Sequence, residues 1–179
     1  MNMIETNRLI IRYFLESDWK DVYDYLSKDE IYRYEPGEAV SENEAKVICR
    51  ERSAGKNFLA VVLKETGKMI GHISFFRNGP EELDTWEMGF IFNPEYQNRG
   101  YCTEAVKKVI ASEFAVNSRH KITGNCNPEN AASWHVFEKA GMKREGHVSK
   151  NIFFRRDEDG NPLWQDTYIY GILNRNETA

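Results

Sequence analysis

The six residues Gln97-Asn98-Arg99-Gly100-Tyr101-Cys102 carry the plainest chemical signal in the chain. They are polar and glycine-punctuated. They join a strand-like run, Asp84–Phe92, to an amphipathic run, Thr103–Phe114. The first N–H groups of a helix have no internal partner, and the helix dipole adds partial positive charge there. Phosphate groups suit such a place. Gly100 allows close approach or positive φ, and Arg99 adds charge. Glu87 shares a strand face with Gly89 and Ile91, opposite Trp86, Met88, Phe90 and Phe92. A carboxylate there either pairs with a cation or does chemistry. Asn130 and Ser133 lie one turn apart on one helix face. Each signal also has a plain structural reading: an αL turn, a strand-end ion pair, a helix cap and a surface hydroxyl.

Positioning such groups requires a scaffold, and the chain supplies one. Arg8–Phe14 is a β-branched strand, and Ser17 is placed to cap a helix carrying Trp19, Val22, Tyr23 and Leu26. Ser41-Glu42-Asn43-Glu44 is a capping box that opens a second helix, which Gly55 ends. Asn57–Lys64 and Met69–Phe76 form a hairpin about Glu65-Thr66-Gly67-Lys68. The helix over Thr103–Phe114 turns Ala105, Val106, Val109, Ile110 and Phe114 inward and Lys107, Lys108 and Glu113 outward. His120–Cys126 is a strand, Asn130–Ala140 a helix stopped by Gly141, and Asn127 is as good a cap as Asn130. Lys143–Phe154 and Leu163–Leu173 are long strands joined by the turn Asp157–Pro162, and Asn174–Ala179 is a frayed tail. The order β-α-α-β-β-β-α-β-α-β-β predicts an α/β fold. Its twisted sheet is mixed but mostly antiparallel, with about seven strands and about four helices.

Composition narrows the function. The 179 residues read as one domain, 1–179, with no repeat or linker. A net charge of -4 argues against a broad nucleic-acid face. No apolar run approaches the ~20 residues of a membrane span, and the start lacks the pattern of a signal peptide. Cys49, Cys102 and Cys126 are far apart and fit free thiols in a reducing cytoplasm. Histidines 72, 120, 135 and 147 do not join them at metal-ligand spacing, so no metal site is expected. Neither G-x-G-x-x-G nor G-x-x-x-x-G-K-[ST] occurs.

Gln97–Cys102 resembles the Gln/Arg-x-x-Gly-x-Gly/Ala loop of the Gcn5-related N-acetyltransferase (GNAT) superfamily. TNRLIIRYFLESD, GHISF, EMGFIFNPEYQNRGYCTEAV, NPENAASWHVFEKAGMKREG and WQDTYIYGIL follow in the family's order. Together they resemble the branch of ribosomal-protein alanine N-acetyltransferases (RimJ/RimL-like). The likeness covers nearly the whole chain. One departure is Cys102, where the family prefers Gly or Ala; a thiol at a helix start is also one whose pKa can fall.

The resemblance implies acetyl-CoA as donor and direct transfer to a primary amine, favouring a protein or peptide N-terminal α-amine. A small amine (polyamine, aminoglycoside or amino-acid analogue) is the alternative acceptor. A non-catalytic acyl-CoA-binding module and a nucleotide or phosphosugar binder are the rival classes. It implies that Gln97, Asn98, Arg99, Gly100, Tyr101 and Cys102 hold the pyrophosphate. The strand backbone at Phe90, Ile91 and Phe92 pairs with the pantetheine arm as an added strand would. A backbone N–H near Ile91 or Phe92 polarises the thioester carbonyl. Glu87 is the candidate base, acting through water. Asn130 binds pantetheine, and Ser133 binds near the sulfur as hydrogen-bond donor or acid; Tyr168 and Tyr170 are alternatives for the acid. The acceptor side falls to the first two helices and the last hairpin, with Trp19, Tyr32, Tyr34, Trp86 and Phe153 as possible walls and an acidic rim at Glu30, Glu35, Glu38 and Asp157–Asp159. Pairing of two copies is a further expectation from the family.

Overall fold

A computed structural model describes residues 3–174. Within them one sheet runs in the order β1-β2-β3-β4-β5-β6-β8-β7. Its strands are β1 (Ile4–Glu5), β2 (Leu9–Tyr13), β3 (Phe58–Leu63), β4 (Met69–Arg77), β5 (Thr85–Phe92), β6 (Lys121–Cys126), β7 (Lys143–Ile152) and β8 (Gln165–Leu173). Four helices flank it: α1 (Trp19–Leu26), α2 (Glu42–Ala54), α3 (Tyr101–Val116) and α4 (Ala131–Lys139). The architecture is the α/β one expected, with one strand more than anticipated. That strand, β1, is two residues long, too short to show a period in the sequence.

Every neighbouring pair is antiparallel except β5 and β6, which the α3 crossover forces to be parallel. Their pairing is short. It runs Thr85↔Lys121, Trp86↔Ile122, Glu87↔Thr123 and then stops, while β5 stays paired to β4 as far as Phe92↔Gly71. Beyond Glu87, β5 therefore has a bare edge.

The two sheet faces bury separate cores. Met88 and Phe92 join Val106, Val109 and Phe137 beneath α3 and α4. Phe14, Tyr25, Ala45, Cys49 and Val62 pack beneath α1 and α2, with Ile91 against them. Odd-numbered residues of β5 thus face α1 and α2, as strand alternation requires.

Several local expectations hold and several fail. Ser41 and Glu44 form the reciprocal capping box, and Gly55 ends α2. Gly141, at φ 90°, ends the α4 segment. Ser17 does not cap α1. It lies in a 3-10 turn, Glu16–Asp18, and Asp18 is spent on Arg12 and the Leu15 N–H. Glu113 does not face outward; it is buried and receives hydrogen bonds from Asn117 and Arg119. Asn174 is not frayed, because its N–H donates to the His120 carbonyl at 2.9 Å. The rest of the expected tail lies outside the described residues. Among those residues no helix is long and apolar enough to cross a membrane.

Candidate active site

The turn after β5 closes as its composition demands. Asn98 and Gly100 both take positive φ, 58° and 77°. Glycine bears this conformation without steric cost and asparagine tolerates it. The first α-helical bond of α3 runs from the Glu104 N–H to the Gly100 carbonyl at 3.0 Å. The N–H groups of Tyr101, Cys102 and Thr103 precede it and point out of the helix start. The Gln97 amide donates to the Phe92 carbonyl at 3.2 Å, tying the turn to the end of β5.

A second device was not visible in the sequence. Arg8, from the start of β2, forms an ion pair with Glu104 at 2.6 Å and donates to the Arg99 carbonyl at 3.0 Å. Its guanidinium lies 4.4 Å from the centre of the Tyr101 ring. Thr6 adds a hydrogen bond to Glu104 at 2.6 Å. Although partly buried, Glu104 is held below the usual carboxylate range by its bonds to Thr6 and Arg8. Nothing in the spacing of residues 91–98 apart announces this clamp.

A cavity of about 410 Å³ opens at the turn. Gln97, Asn98, Gly100, Tyr101 and Cys102 line one end, Phe90, Ile91 and Phe92 the side, and Asn130 and Ser133 the opposite wall. Of the cofactor residues expected, only Arg99 is absent from the walls; it lies 5.6 Å from the centre of the Tyr96 ring. His135 and Lys139 of α4 join the lining, as does Thr103. These were missed because a lone His or Lys on a helix reads as a solvated face.

Backbone direction on β5 follows from one bond. The Asn93 N–H donates to the Ile70 carbonyl on β4 at 2.9 Å. Antiparallel pairing alternates, so Ile91 also turns its N–H and C=O toward β4. Phe90 and Phe92 then present theirs to the edge away from β4, where Gln97 already occupies the Phe92 carbonyl. Of the two N–H groups expected to polarise the carbonyl, that of Ile91 is turned to β4 and that of Phe92 to the edge, with Phe90 beside it.

Asn130 is the cap of α4: its side-chain oxygen accepts from the Ser133 N–H at 3.2 Å. Asn127 instead bonds Gln165 and the Glu129 N–H. Capping uses one side of the Asn130 amide and leaves its NH₂ group to the cavity. Glu87 is not among the lining residues; its carboxylate accepts from the Asn78 side chain at 3.0 Å. Of the aromatic walls expected for the acceptor, only Tyr34 lines the cavity. Trp86 is stacked on Phe75 with Arg119 over it, Tyr32 is buried and Phe153 packs on Trp164. The Tyr170 hydroxyl is committed to Glu138 at 3.0 Å. Asp157 is used in its own turn, accepting from Asp159 and Asn161.

Two shifts bear on chemistry. Burial pushes the Cys102 thiol well above its usual range, opposite in direction to the lowering that a helix start by itself would give. Burial also pushes the Glu35 carboxyl up to about 7, and Glu35 lines the cavity together with Glu30 and Arg33.

A helix start facing outward, a bare strand edge and a capped helix across from them form one continuous cavity. The family model described as an acetyltransferase (GNAT) domain matches residues 8–143. The chain belongs to the GNAT acetyltransferase family. It is 37% identical over 171 residues to the N-acetyltransferase YnaD of Bacillus subtilis, covering 95% of this chain and 96% of that one. A GNAT-family acetyltransferase structure from Bacillus anthracis superposes with a TM-score of 0.86 at 33% identity, covering 97% and 99% of the two chains. A ribosomal-protein-S5-alanine acetyltransferase from Vibrio fischeri superposes over 100% of both chains, with TM-score 0.82 and 20% identity, a likeness of fold alone. As a GNAT enzyme the protein uses acetyl-CoA as acetyl donor, and the cavity residues suit that group. The N–H groups at the α3 start match a pyrophosphate, and the β5 edge matches the amides of a pantetheine arm.

Proposed function

We propose that this GNAT enzyme transfers the acetyl group directly to a primary amine in a ternary complex, and that the favoured acceptor is a protein or peptide α-amine. The observation that carries the reading is the continuity of the cavity from the α3 start, along the edge of β5, to Asn130 and Ser133. With the pyrophosphate at Gly100, the pantetheine lies along Phe90–Phe92. The thioester carbonyl accepts from a β5 N–H, and the Ser133 hydroxyl stands near the sulfur. Holding both reactants in line converts a bimolecular encounter into an intramolecular one. Donors fixed where the oxyanion develops lower the barrier further. Glu87, the base expected from the sequence, is bonded to Asn78 outside the walls, so any part it plays in proton removal runs through intervening water.

The walls carry Glu30 and Glu35 as well as Arg33 and Lys139, and the end formed by the two acids suits a cationic acceptor. That feature suits a peptide N-terminus and equally a polyamine, which is the second reading. Cytoplasmic residence is part of the same proposal: three free cysteines on separate elements fit a reducing compartment. The test is release of free thiol from acetyl-CoA against alanine-initiated ribosomal-protein peptides, spermidine and an aminoglycoside. Release with the peptides alone supports the first reading, and release with spermidine alone moves the assignment to the second. Tight acetyl-CoA binding with no release under any acceptor refutes both.

A further inference from the structure

We infer that Glu35, not Glu87, is the group that takes the proton from the acceptor amine, acting directly from the cavity wall. This rests on the amine-transfer reading above and specifies its base.

β5 and β6 part company after Glu87↔Thr123. With the pyrophosphate at the α3 start and the sulfur near Ser133, the thioester carbon lies in the opening between the two strands. Glu35 faces that opening. It lines the same cavity as Ile91 and Ser133, and its charge is felt by Cys126 at the far end of β6. Its segment is pinned before it at Tyr32, whose hydroxyl donates to the Leu26 carbonyl at 2.8 Å and whose carbonyl accepts from Arg155 at 3.0 Å, and after it at Val40, whose N–H donates to the Leu26 carbonyl at 3.0 Å. The carboxylate itself has no hydrogen bond or ion pair among the described residues. A partly buried carboxylate with no partner is costly unless it has work to do. Glu87, by contrast, is four residues along β5 from Ile91, roughly 13 Å at the usual strand rise, and is bonded to Asn78.

The charged and titratable groups around Glu35 are Glu30, Arg33 and Tyr34 on its own segment, Arg155 bonded to that segment, Tyr96 after β5, Tyr101 and Cys102 on α3, Cys126 on β6, and His135 and Lys139 on α4. None makes a direct contact with it; burial alone moves its carboxyl. The step balances simply. An N–H bond of the bound ammonium breaks and an O–H bond forms on Glu35. The freed lone pair attacks the thioester carbon, forming C–N while the carbonyl electrons move to oxygen. Collapse of that intermediate breaks C–S, and the second nitrogen proton goes to the departing sulfur by way of Ser133 or water. Glu35 returns its proton to solvent.

The experiment is thiol release with an alanine-initiated peptide, from pH 5.5 to 9.5, for the wild type, Glu35→Gln, Glu35→Asp and Glu87→Gln. Wild-type kcat/KM should rise through a break near 7. E35Q should lose on the order of 100-fold or more at pH 6.5. The loss should shrink toward pH 9, where the α-amine deprotonates unaided. E35D should recover part of it. Acetyl-CoA affinity of E35Q should stay within about twofold of the wild type, which separates a lost base from a damaged fold. Carboxyl NMR of glutamate-labelled protein should show one signal titrating near 7 that E35Q lacks. Wild-type activity with an unperturbed E35Q, or the same pH signature in E87Q alone, overturns the Glu35 assignment. A wild type that releases thiol with none of the peptide, spermidine and aminoglycoside refutes amine transfer itself, and this inference with it.

Discussion

On the proposed reading Asn130 does two jobs with two atoms, and substitution can pull them apart. Its oxygen caps α4 through the Ser133 N–H at 3.2 Å, while Asn130 lines the cavity where the proposal puts the pantetheine. Asn130→Ala removes both. Loss of a capping side chain costs about 1 kcal/mol, and in a chain of this size that lowers Tm by about 2–4 °C. Asn130→Asp keeps a capping oxygen, and asparagine and aspartate are equally good at this position. It adds negative charge at a helix N-terminus, which is mildly favourable. What it deletes is the donor. One neutral hydrogen bond contributes about 0.5–1.5 kcal/mol, or roughly a 2- to 12-fold weakening of acetyl-CoA binding. Calorimetric unfolding and titration calorimetry on the two variants give a two-by-two result. N130A should be weaker in both stability and affinity, and N130D in affinity alone. N130D that binds acetyl-CoA like the wild type would show that the amide group has no cofactor role. N130A with unchanged Tm would refute the capping argument.

Gly100→Ala forces a Cβ onto φ 77°, although the nearest atom, Arg8 Nη2, is 3.5 Å away. The cost is therefore conformational, about 1–2 kcal/mol; urea unfolding should show that loss, and relaxation of the turn should weaken acetyl-CoA binding about tenfold. All three thiols are pushed up by burial, Cys49 and Cys126 to about 12 and Cys102 well above its usual value. Native protein should react with a thiol reagent at pH 8 far more slowly than urea-unfolded protein, and fast labelling of Cys102 would contradict the burial argument. His72 is buried between Tyr25 and Arg52, and burial followed by the Arg52 charge holds its pKa well below 6.5. The unfolded chain takes up a proton below pH 6.5 that the folded chain refuses, so this stability is present above 6.5 and lost as pH falls. Between pH 7 and 5 the wild type should lose more unfolding free energy than His72→Gln, since the opposite slope from Glu35 is common to both; parallel slopes would refute the assignment.

What could be read from the sequence was whatever depended on local order. The capping box at Ser41, the hairpin after Leu63 and the strand–turn–helix around Gly100 each use neighbours within a few residues. The cavity walls along Phe90–Phe92 and at Ser133 followed from the family likeness laid over those elements. The misses share a different cause. Glu113 sits at an outward position by helical period, yet Arg119 and Asn117 pull it inward. Arg8 clamps a turn more than ninety residues away. Glu35 reads as one of several surface acids in a loop, and only its place in the cavity wall sets it apart. Asn130 and Asn127 are indistinguishable as caps until Gln165 engages one of them. Partners chosen by tertiary approach leave no periodic trace.

The bare edge of β5 has a consequence for solubility. An unpaired strand edge is normally where other chains add themselves and where aggregation begins. Proteins blunt such edges with charge, proline or a covering element. Here the edge at Phe90 and Phe92 lies inside the sheet, between β5 and a neighbour that has turned away, with α4 across from it. A second protein chain would have to enter between two strands of one sheet to reach it, whereas on the proposed reading a slender pantetheine arm lies along β5 alone. The fold thus keeps a reactive backbone edge that discriminates by width, open to a thin ligand and closed to a neighbouring polypeptide.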